Sequence, residues 1–274
     1  LLNRPLIIFM FGGAFVTGAK SSSDIVNLCL NYASRGYVAA AIDYRLTPSL
    51  LIDDSDENAY EAVIKGIHDL KASIRFFRMD DELYNTYRID SGRIYAGGVS
   101  AGAIASLNAT YINEEDEALS LITAEHLEEL GGLEGDSGNP GYESNVYGIV
   151  NLCGAIGHYD WIGQPDIPIV SMHGSEDTVI PYSDDLVTLF GLDIQVYGSL
   201  IIHQTMLELD NYSMLYTYEG EDHVPFTSGM NFESEYSADF LYEIVCDFSD
   251  SLIGDINQDN ILDILDIIML INFI

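Results

Sequence analysis

Basic residues are scarce in this chain of 274 residues, which has 10 lysines and arginines against 44 aspartates and glutamates and a formal net charge of −34. A surface of this charge repels nucleic-acid phosphates and anionic lipid headgroups, so we expect neither as a partner. The acidic excess suits a high-salt, extracellular or calcium-rich setting. It equally suits an acidic protein that is kept soluble by self-repulsion.

Cysteine and long apolar runs are also scarce. Cys29, Cys153 and Cys246 are widely spaced in apolar surroundings, which predicts buried free thiols rather than a disulfide framework or a metal site. No run of 18 apolar residues occurs, so we expect no membrane span. The chain begins on a strand-like run, without an initiator methionine or a leader segment. We therefore expect a signal peptide and the first strands of the domain to lie outside this sequence.

Apolar runs typical of buried strands alternate with segments of helical spacing. This alternation predicts one α/β domain at residues 1–248, with a mostly parallel sheet and helices on both faces. The strand candidates are residues 4–11, 36–44, 93–99, 146–152, 167–172 and 213–218. The helix candidates are residues 25–33, 59–77, a segment beginning at Ala101, and residues 236–248.

Residues 113–145 interrupt the alternation with acidic residues, glycines and Pro140. This composition predicts an insertion that crosses the top of the sheet, where loops often face a ligand. A solvated excursion without a role in binding is the alternative.

Ser100 lies in the sequence GGVSAGA at residues 97–103, directly after a strand candidate. The spacing G-x-S-x-G at a strand-to-helix turn is that of a nucleophile elbow. Small neighbours are needed because strand and helix pass closely at a turn with strained backbone angles. The turn also sets the amide of Ala101 at a helix N-terminus, where an oxyanion can bind. Taken alone, the pentapeptide also fits a plain tight turn.

Two further candidates follow later strands. A serine hydroxyl needs a base to take its proton and a third group to orient that base. Asp177 follows the strand candidate at 167–172, and His223 follows the one at 213–218. The order Ser, Asp, His at three strand ends is the order of α/β-hydrolases. Asp177 as an ordinary turn residue and Glu176 as the orienting acid remain alternatives.

Five other histidines are weaker candidates for the base. His173 ends a strand but precedes the aspartate, so we expect it to have a structural role. The others stand in helix-like segments or lack a strand directly before them: His68, His126, His158 and His203.

An early Gly-Gly turn follows the first strand candidate, in the sequence FGGAF at residues 11–15. It is similar to the H-G-G-G loop of esterases, whose backbone amides bind an oxyanion. We expect the amides of Gly13 and Ala14 to converge on the same oxygen as that of Ala101. A simple Gly-Gly turn is the alternative.

From residue 4 to about 248 the chain resembles a serine carboxylesterase of the α/β-hydrolase superfamily. It is most similar to bacterial esterases that are related to hormone-sensitive lipase, to feruloyl esterases and to acetyl-xylan esterases. The resemblance rests on FGGAF at 11–15, DYRL at 43–46, GVSAG at 98–102, HGxxDxxIP at 173–181 and GxxH at 220–223.

The resemblance implies an acyl-enzyme mechanism without a cofactor. In it Ser100 is the nucleophile, His223 the base and Asp177 its orienting acid. The oxyanion hole is then formed at Gly12, Gly13, Ala14 and Ala101. One residue departs from the pattern, since Phe11 stands where the family has a histidine that supports the glycine loop.

The last residues have a different character. After a short linker at 249–253, residues 254–274 combine a loop of oxygen donors with an apolar run. The spacing is that of a calcium loop, in which Asn260 replaces the usual glycine. The expected Ca²⁺ ligands are Asp255, Asn257, Asp259, Ile261 through its carbonyl, Asp263 and Asp266. An acidic turn before an amphipathic helix is the alternative.

The C-terminal segment resembles one of the two repeats of a dockerin, the calcium-dependent docking module of secreted polysaccharide-degrading enzymes. This resemblance implies a secreted or cell-surface protein, a cohesin-like partner and an ester substrate on a polysaccharide or a small molecule. Two other functions stay open. One is a serine peptidase of the prolyl-oligopeptidase type, and the other is a catalytically silent hydrolase fold that serves binding or display.

Overall fold

The computed structural model describes residues 3–51, 55–188, 191 and 193–247. The chain divides into two compact units, Leu1–Ser237 and Ala238–Ile274. This division falls inside the last helix, whereas the sequence places a domain boundary at residue 248. The described part of the second unit is helical. The linker and the calcium loop predicted at 249–274 lie outside the described residues.

The described residues form nine strands and seven α-helices. The strands are β1 (Arg4–Met10), β2 (Val38–Ile42), β3 (Ile89–Val99), β4 (Ile149–Leu152), β5 (Ala155–Ile156), β6 (Ile169–Gly174), β7 (Asp184–Val187), β8 (Ile194–Gly198) and β9 (Ser213–Tyr218). The helices are α1 (Ser23–Ser34), α2 (Asp56–Leu83), α3 (Ala101–Tyr111), α4 (Glu115–Ala118), α5 (Ala124–Leu130), α6 (Ser199–Glu208) and α7 (Asn231–Asp247).

The main sheet has six strands in the order β2-β1-β3-β4-β6-β9, and every neighbouring pair is parallel. β1 and β4 are buried along most or all of their length because helices cover both faces of the sheet, which explains their continuous apolar sequences. With this strand order, the right-handed crossover that parallel strands adopt places α1 on one face and α2, α3 and α6 on the other. The predicted α/β class and mostly parallel sheet are confirmed.

A second, smaller sheet was not expected from the sequence. β5, β8 and β7 pair in antiparallel fashion in that order. The sequence signal is weak because β5 has two residues and β7 is exposed and acidic. Ala155 of β5, Val196 of β8 and Ile180 form a small buried apolar cluster.

The later part of the insertion, at residues 131–138, packs along α2, so the prediction that it crosses the top of the sheet is wrong there. Glu134 pairs with two nearly buried cations of α2, at 2.7 Å from Lys71 Nζ and 2.9 Å from Arg75 Nη1. His68 Nε2 lies 2.7 Å from the carbonyl of Gly132. Few cations are available in this acidic chain, and these two hold the insertion against the helix. No helix in the described part is long and apolar enough to span a membrane.

Candidate active site

Ser100 occupies a strained turn between β3 and α3. Its backbone has φ +54° and ψ −120°, in the left-handed range that non-glycine residues rarely adopt. Its amide donates to the carbonyl of Leu152 at 2.8 Å, which continues the pairing of β3 with β4. The turn therefore projects the serine from the carboxyl end of the sheet, as the sequence predicts.

The glycines on either side of Ser100 are sterically required. A Cβ at Gly98 would overlap the backbone of Gly102, and a Cβ at Gly102 would overlap the carbonyl of Met10. The strand, the turn and the helix therefore approach more closely than side chains allow. These overlaps give the physical reason for the small residues of the pentapeptide.

The structure brings Ser100, His223 and Asp177 into one hydrogen-bonded line. His223 Nε2 lies 2.9 Å from Ser100 Oγ, and His223 Nδ1 lies 2.6 Å from Asp177 Oδ2. The side chain of Asp177 is fully buried and that of His223 is 16% exposed. The line is the arrangement that a serine needs in order to lose its proton to an oriented imidazole.

Asp177 forms hydrogen bonds with other groups besides His223. Its Oδ1 accepts backbone N–H bonds from Val179 and Ile180, both at 2.8 Å. Its Oδ2 also lies 3.0 Å from His173 Nε2. Burial would raise the pKa of Asp177, but the hydrogen bonds from His173, His223 and Val179 and the charge of His223 hold it well below its usual range. The carboxylate therefore remains an anion.

Glu176, the rival acid, is exposed to solvent. The other histidines contact groups away from Ser100. His126 pairs with Glu57 and Glu61, and His203 bonds Ser213 Oγ. The sequence did not predict the contact between His173 and Asp177. A histidine at the end of a strand, four residues before the aspartate, gives no sign that the two side chains meet.

The glycine loop lies against Ser100. A Cβ on Gly12 would stand 3.2 Å from Ser100 Cβ, so the two backbones are in close contact. Gly13, Ala14 and Phe15 have successive positive φ angles of 129°, 53° and 62°. This tight turn lies beside Ser100, where the sequence predicts that the loop's amides bind an oxyanion.

Phe11 supports this loop in a different way from a histidine. Its ring stacks on Tyr44 with centroids 4.3 Å apart, and the Tyr44 hydroxyl donates to the Phe11 carbonyl at 2.9 Å. Tyr44 belongs to the DYRL sequence. The stacked rings of Phe11 and Tyr44, with one hydrogen bond between the two residues, thus stand where the family has a histidine side chain.

A cavity of about 800 Å³ opens beside Ser100 and His223. Most of its walls are apolar, and the insertion and the small sheet contribute Leu121 and Val196. Among the described residues that line it, Asp24 carries a charge and no lysine or arginine is present. The cavity therefore suits an apolar group that is attached to the reacting carbonyl.

Cys153, at the end of β4, is buried beneath the site. Together with Asp177 and His223 it forms a group whose potential metal-ligand atoms lie within 4.8 Å of one another. Burial raises the pKa of the Cys153 thiol, and the charge of Asp177 raises it further. A protonated thiol, with hydrogen bonds already on the other two groups, makes a poor metal site. Cys29 and Cys153 are free thiols, as predicted, but only Cys153 of these two is buried, since Cys29 is partly exposed.

The parallel sheet, the strained serine turn and the order of the three strand ends define an α/β-hydrolase. The family model BD-FAE matches residues 2–156, which is more than half of the chain, and the chain belongs to this family.

A curated relative is the probable isoprenylcysteine alpha-carbonyl methylesterase ICMEL2 of Arabidopsis thaliana, 24% identical over 200 residues. The match covers 73% of this chain, and the chain spans 41% of the length of that relative.

Two similar solved structures are of esterase 2 from the planctomycete Thermogutta terrifontis. In its propionate-bound form it is 19% identical and has a TM-score of 0.63. In the form phosphorylated by paraoxon it is 20% identical, again with a TM-score of 0.63. Each comparison covers 89% of this chain and 84% of the other. At this identity the likeness concerns the fold.

Proposed function

We propose that this protein is a serine esterase that hydrolyses carboxylic esters through an acyl-enzyme. The observation that carries the proposal is the 2.9 Å contact between Ser100 Oγ and His223 Nε2, with Asp177 on the far nitrogen of the imidazole. The names of the similar proteins, a methylesterase and an esterase, agree with this activity.

In the first half-reaction Ser100 Oγ attacks the ester carbonyl while His223 Nε2 takes the hydroxyl proton. The new C–O bond places negative charge on the former carbonyl oxygen. The amides of Gly12, Gly13, Ala14 and Ala101 are the proposed donors to that oxyanion. Asp177 keeps the proton of the imidazole on Nδ1 and stabilises the imidazolium that forms.

The first half-reaction ends when the tetrahedral intermediate collapses and the ester C–O bond breaks. His223 returns the proton to the departing alcohol, which leaves the acyl group on Ser100. Water then attacks this acyl-enzyme, with His223 acting again as base, and releases the acid and free Ser100. These reaction steps use no redox partner and no cofactor.

A panel of p-nitrophenyl esters of increasing acyl length tests the activity and the size of the cavity together. We expect hydrolysis by the wild-type chain and a fall in kcat of about 10⁴- to 10⁶-fold in Ser100→Ala. Ser22→Ala is the matched control, since Ser22 lines the same cavity but bonds the carbonyl of Ala19. Equal turnover in the wild type and Ser100→Ala would contradict the proposal. Absence of turnover in a folded wild type would favour the peptidase or the silent module.

We further propose that the natural substrate is an ester group on a polysaccharide or a related small molecule, and that the protein is secreted or displayed at the cell surface. The support is the sequence of residues 254–274 with its dockerin-like spacing. Within this proposal the segment binds one Ca²⁺ and presents an apolar helix to a cohesin-like partner.

Calorimetric titration of the full chain with CaCl₂ tests the calcium proposal. We expect one site per chain and a loss of binding heat in the double variant Asp255→Ala, Asp259→Ala. Esterase activity should be equal with and without calcium. Absence of heat in the wild type, or equal heat in the variant, would reduce the segment to an acidic tail.

A further inference from the structure

His173 is a fully buried titratable group that the proposed reaction does not use. It stands near the end of β6, and its imidazole is enclosed by three partners. Nδ1 lies 2.7 Å from Ser199 Oγ, whereas Nε2 lies 3.0 Å from Asp177 Oδ2 and 3.0 Å from the carbonyl of Ile180. Ser199 is itself fully buried, at the start of α6.

The position of the proton on the His173 imidazole can be deduced from three successive hydrogen bonds that begin at the backbone amide of Gly154. Gly154 N–H can only donate, and it donates to Asn151 Oδ1 at 2.9 Å, which fixes the orientation of that side-chain amide. Asn151 Nδ2 then donates to Ser199 Oγ at 2.9 Å. The other hydrogen of Nδ2 goes to Ser171 Oγ, at 3.0 Å.

Ser199 Oγ accepts from Asn151 Nδ2, and the only other hydrogen-bond partner that the described residues give it is His173 Nδ1. A buried hydroxyl without an acceptor is costly, so the hydroxyl proton of Ser199 goes to His173 Nδ1. An Nδ1 that accepts a hydrogen bond is unprotonated, so the single proton of a neutral imidazole resides on Nε2. That proton faces the carboxylate of Asp177 and the carbonyl of Ile180. Along the series of hydrogen bonds from Gly154 through Asn151 and Ser199 to His173, each group donates to the next one.

Asp177 consequently receives four N–H donors. Two backbone amides hold Oδ1, so the rotamer of the side chain does not depend on either histidine. The two histidines share Oδ2, with His223 at 2.6 Å and His173 at 3.0 Å. The negative charge on Oδ2 is thereby divided between the catalytic imidazole and the buried one.

We propose that His173 is a positioning residue for the proposed triad: its imidazole donates the Nε2 proton to Asp177 Oδ2 and so limits how strongly Asp177 retains the proton of His223. The inference rests on the proposed function, since it assigns His223 as the base. It predicts that the lower limb of the pH profile depends on a side chain that touches neither Ser100 nor the cavity.

Other titratable groups face this network. Asp222 accepts from the amides of Thr178 and His223, and Cys153 lies beneath Asp177. The ring of Tyr182 stands edge-on to His173 with centroids 5.6 Å apart, and its hydroxyl is bonded to Thr217. These groups are common to the wild type and the variants below, so a difference between variants reports on position 173.

The test compares His173→Asn with His173→Gln. Asparagine still offers an oxygen to Ser199 but is too short to reach Asp177, whereas glutamine still offers Asp177 an N–H donor. Loss of the donor concentrates charge on Oδ2, so His223 should retain its proton to higher pH. We expect the lower limb of kcat/KM to move up by about 0.5 to 1 pH unit in His173→Asn and to return toward the wild type in His173→Gln.

His203→Asn is the matched control, because His203 also forms a hydrogen bond with a serine, and within the described part of the chain it has no ion pair with a carboxylate. It should leave the limb in place. The proposal would be overturned if the lower limb of kcat/KM against pH were the same in His173→Asn as in the wild type. It would also be overturned if His203→Asn moved that limb by an equal amount.

A second measurement requires neither variant folding nor turnover. Nitrogen-15 NMR of the histidine side chains in the wild-type chain, at the pH of the kinetic assay, should show one buried imidazole with unprotonated Nδ1 and protonated Nε2. A buried histidine with the proton on Nδ1, or with protons on both nitrogens, would overturn the proposal. If the wild type lacks esterase activity while this signal is present, the proposed function fails and the state of His173 is still established.

Discussion

At the scale of single residues, the local sequence around Ser100, Asp177 and His223 carried enough information to select them. Each follows an apolar strand, and parallel strands bring their carboxyl ends to one edge of a sheet. The choice between Glu176 and Asp177 required the structure, because both fit a strand end. Geometry favours Asp177, whose side chain is fully buried and 2.6 Å from His223, whereas Glu176 is exposed.

Asp177→Asn should lower kcat roughly 10⁴-fold while the chain stays folded. The amide would present a hydrogen to His223 Nδ1 or leave it without an acceptor, so the imidazole would adopt the wrong tautomer. Steady-state kinetics with a p-nitrophenyl ester measures this, and Glu176→Gln is the neighbouring control with near-native turnover. The reverse ranking of the two variants would assign the orienting acid to Glu176.

The pH dependence of the wild type belongs to the same scale. Only a neutral imidazole accepts the proton of Ser100, so kcat/KM should rise with pH through a single ionisation, that of the imidazole. Hydrogen bonds hold the pKa of Asp177 well below its usual range, so the carboxylate contributes no second step. A slope of two protons on the lower limb between pH 5 and 7 would contradict this interpretation.

At the scale of elements, the loop after β1 combines a feature that the sequence predicted with one that it did not. The two glycines predict an oxyanion loop, which stays a prediction, and Phe11 left the support of that loop undefined. The aromatic pair with Tyr44 depends on β2 lying beside β1, a neighbour relation that only the folded sheet supplies.

Gly13→Ala should lower kcat about 10²-fold with little change in KM. At φ +129° an L-residue is strained, and a Cβ there would overlap the carbonyl of Thr17, so the loop must shift away from the oxyanion. Gly36→Ala is the control, since Gly36 also has a positive φ but open space around its Cα. Kinetics on one ester, with thermal unfolding of both variants, separates the effect on catalysis from strain.

The sequence analysis did not predict the strands of the small sheet, β5, β7 and β8, or the helices α4, α5 and α6. The strands with continuous apolar runs, and α2 with its helical spacing, lie where the sequence predicts them, although β3 begins four residues earlier and α2 extends beyond both predicted ends. β5 and β7 form through pairing with β8, so their own residues carry little local signal. The insertion at 113–145 was partly misplaced for a related reason, since its position depends on the ion pairs of Glu134 with distant cations of α2.

At the scale of the whole molecule, charge decides which esters approach the cavity. The net charge of −34 acts at long range and Asp24 acts within the cavity wall. An anionic ester is repelled on approach, and a cationic ester is attracted. Salt screens both effects, because the Debye length falls to about 8 Å at physiological ionic strength.

A choline ester, its uncharged 3,3-dimethylbutyl analogue and a hemisuccinate ester of similar length should therefore respond differently to salt. Between low and physiological ionic strength we expect kcat/KM to fall several-fold for the cation, to rise for the anion and to stay level for the neutral ester. Asp24→Asn should reduce the cation-to-neutral ratio at every salt concentration. A common salt response of the three esters would show that charge has no part in selection.

The central claim is that Ser100 is an activated nucleophile, and covalent labelling tests it most directly. A fluorophosphonate ester added to the full chain should form one adduct, which peptide mass spectrometry should locate on Ser100. The adduct should be absent from Ser100→Ala and slow to form in Asp177→Asn. Labelling of a different serine, or no labelling of the folded wild-type chain, would contradict the account.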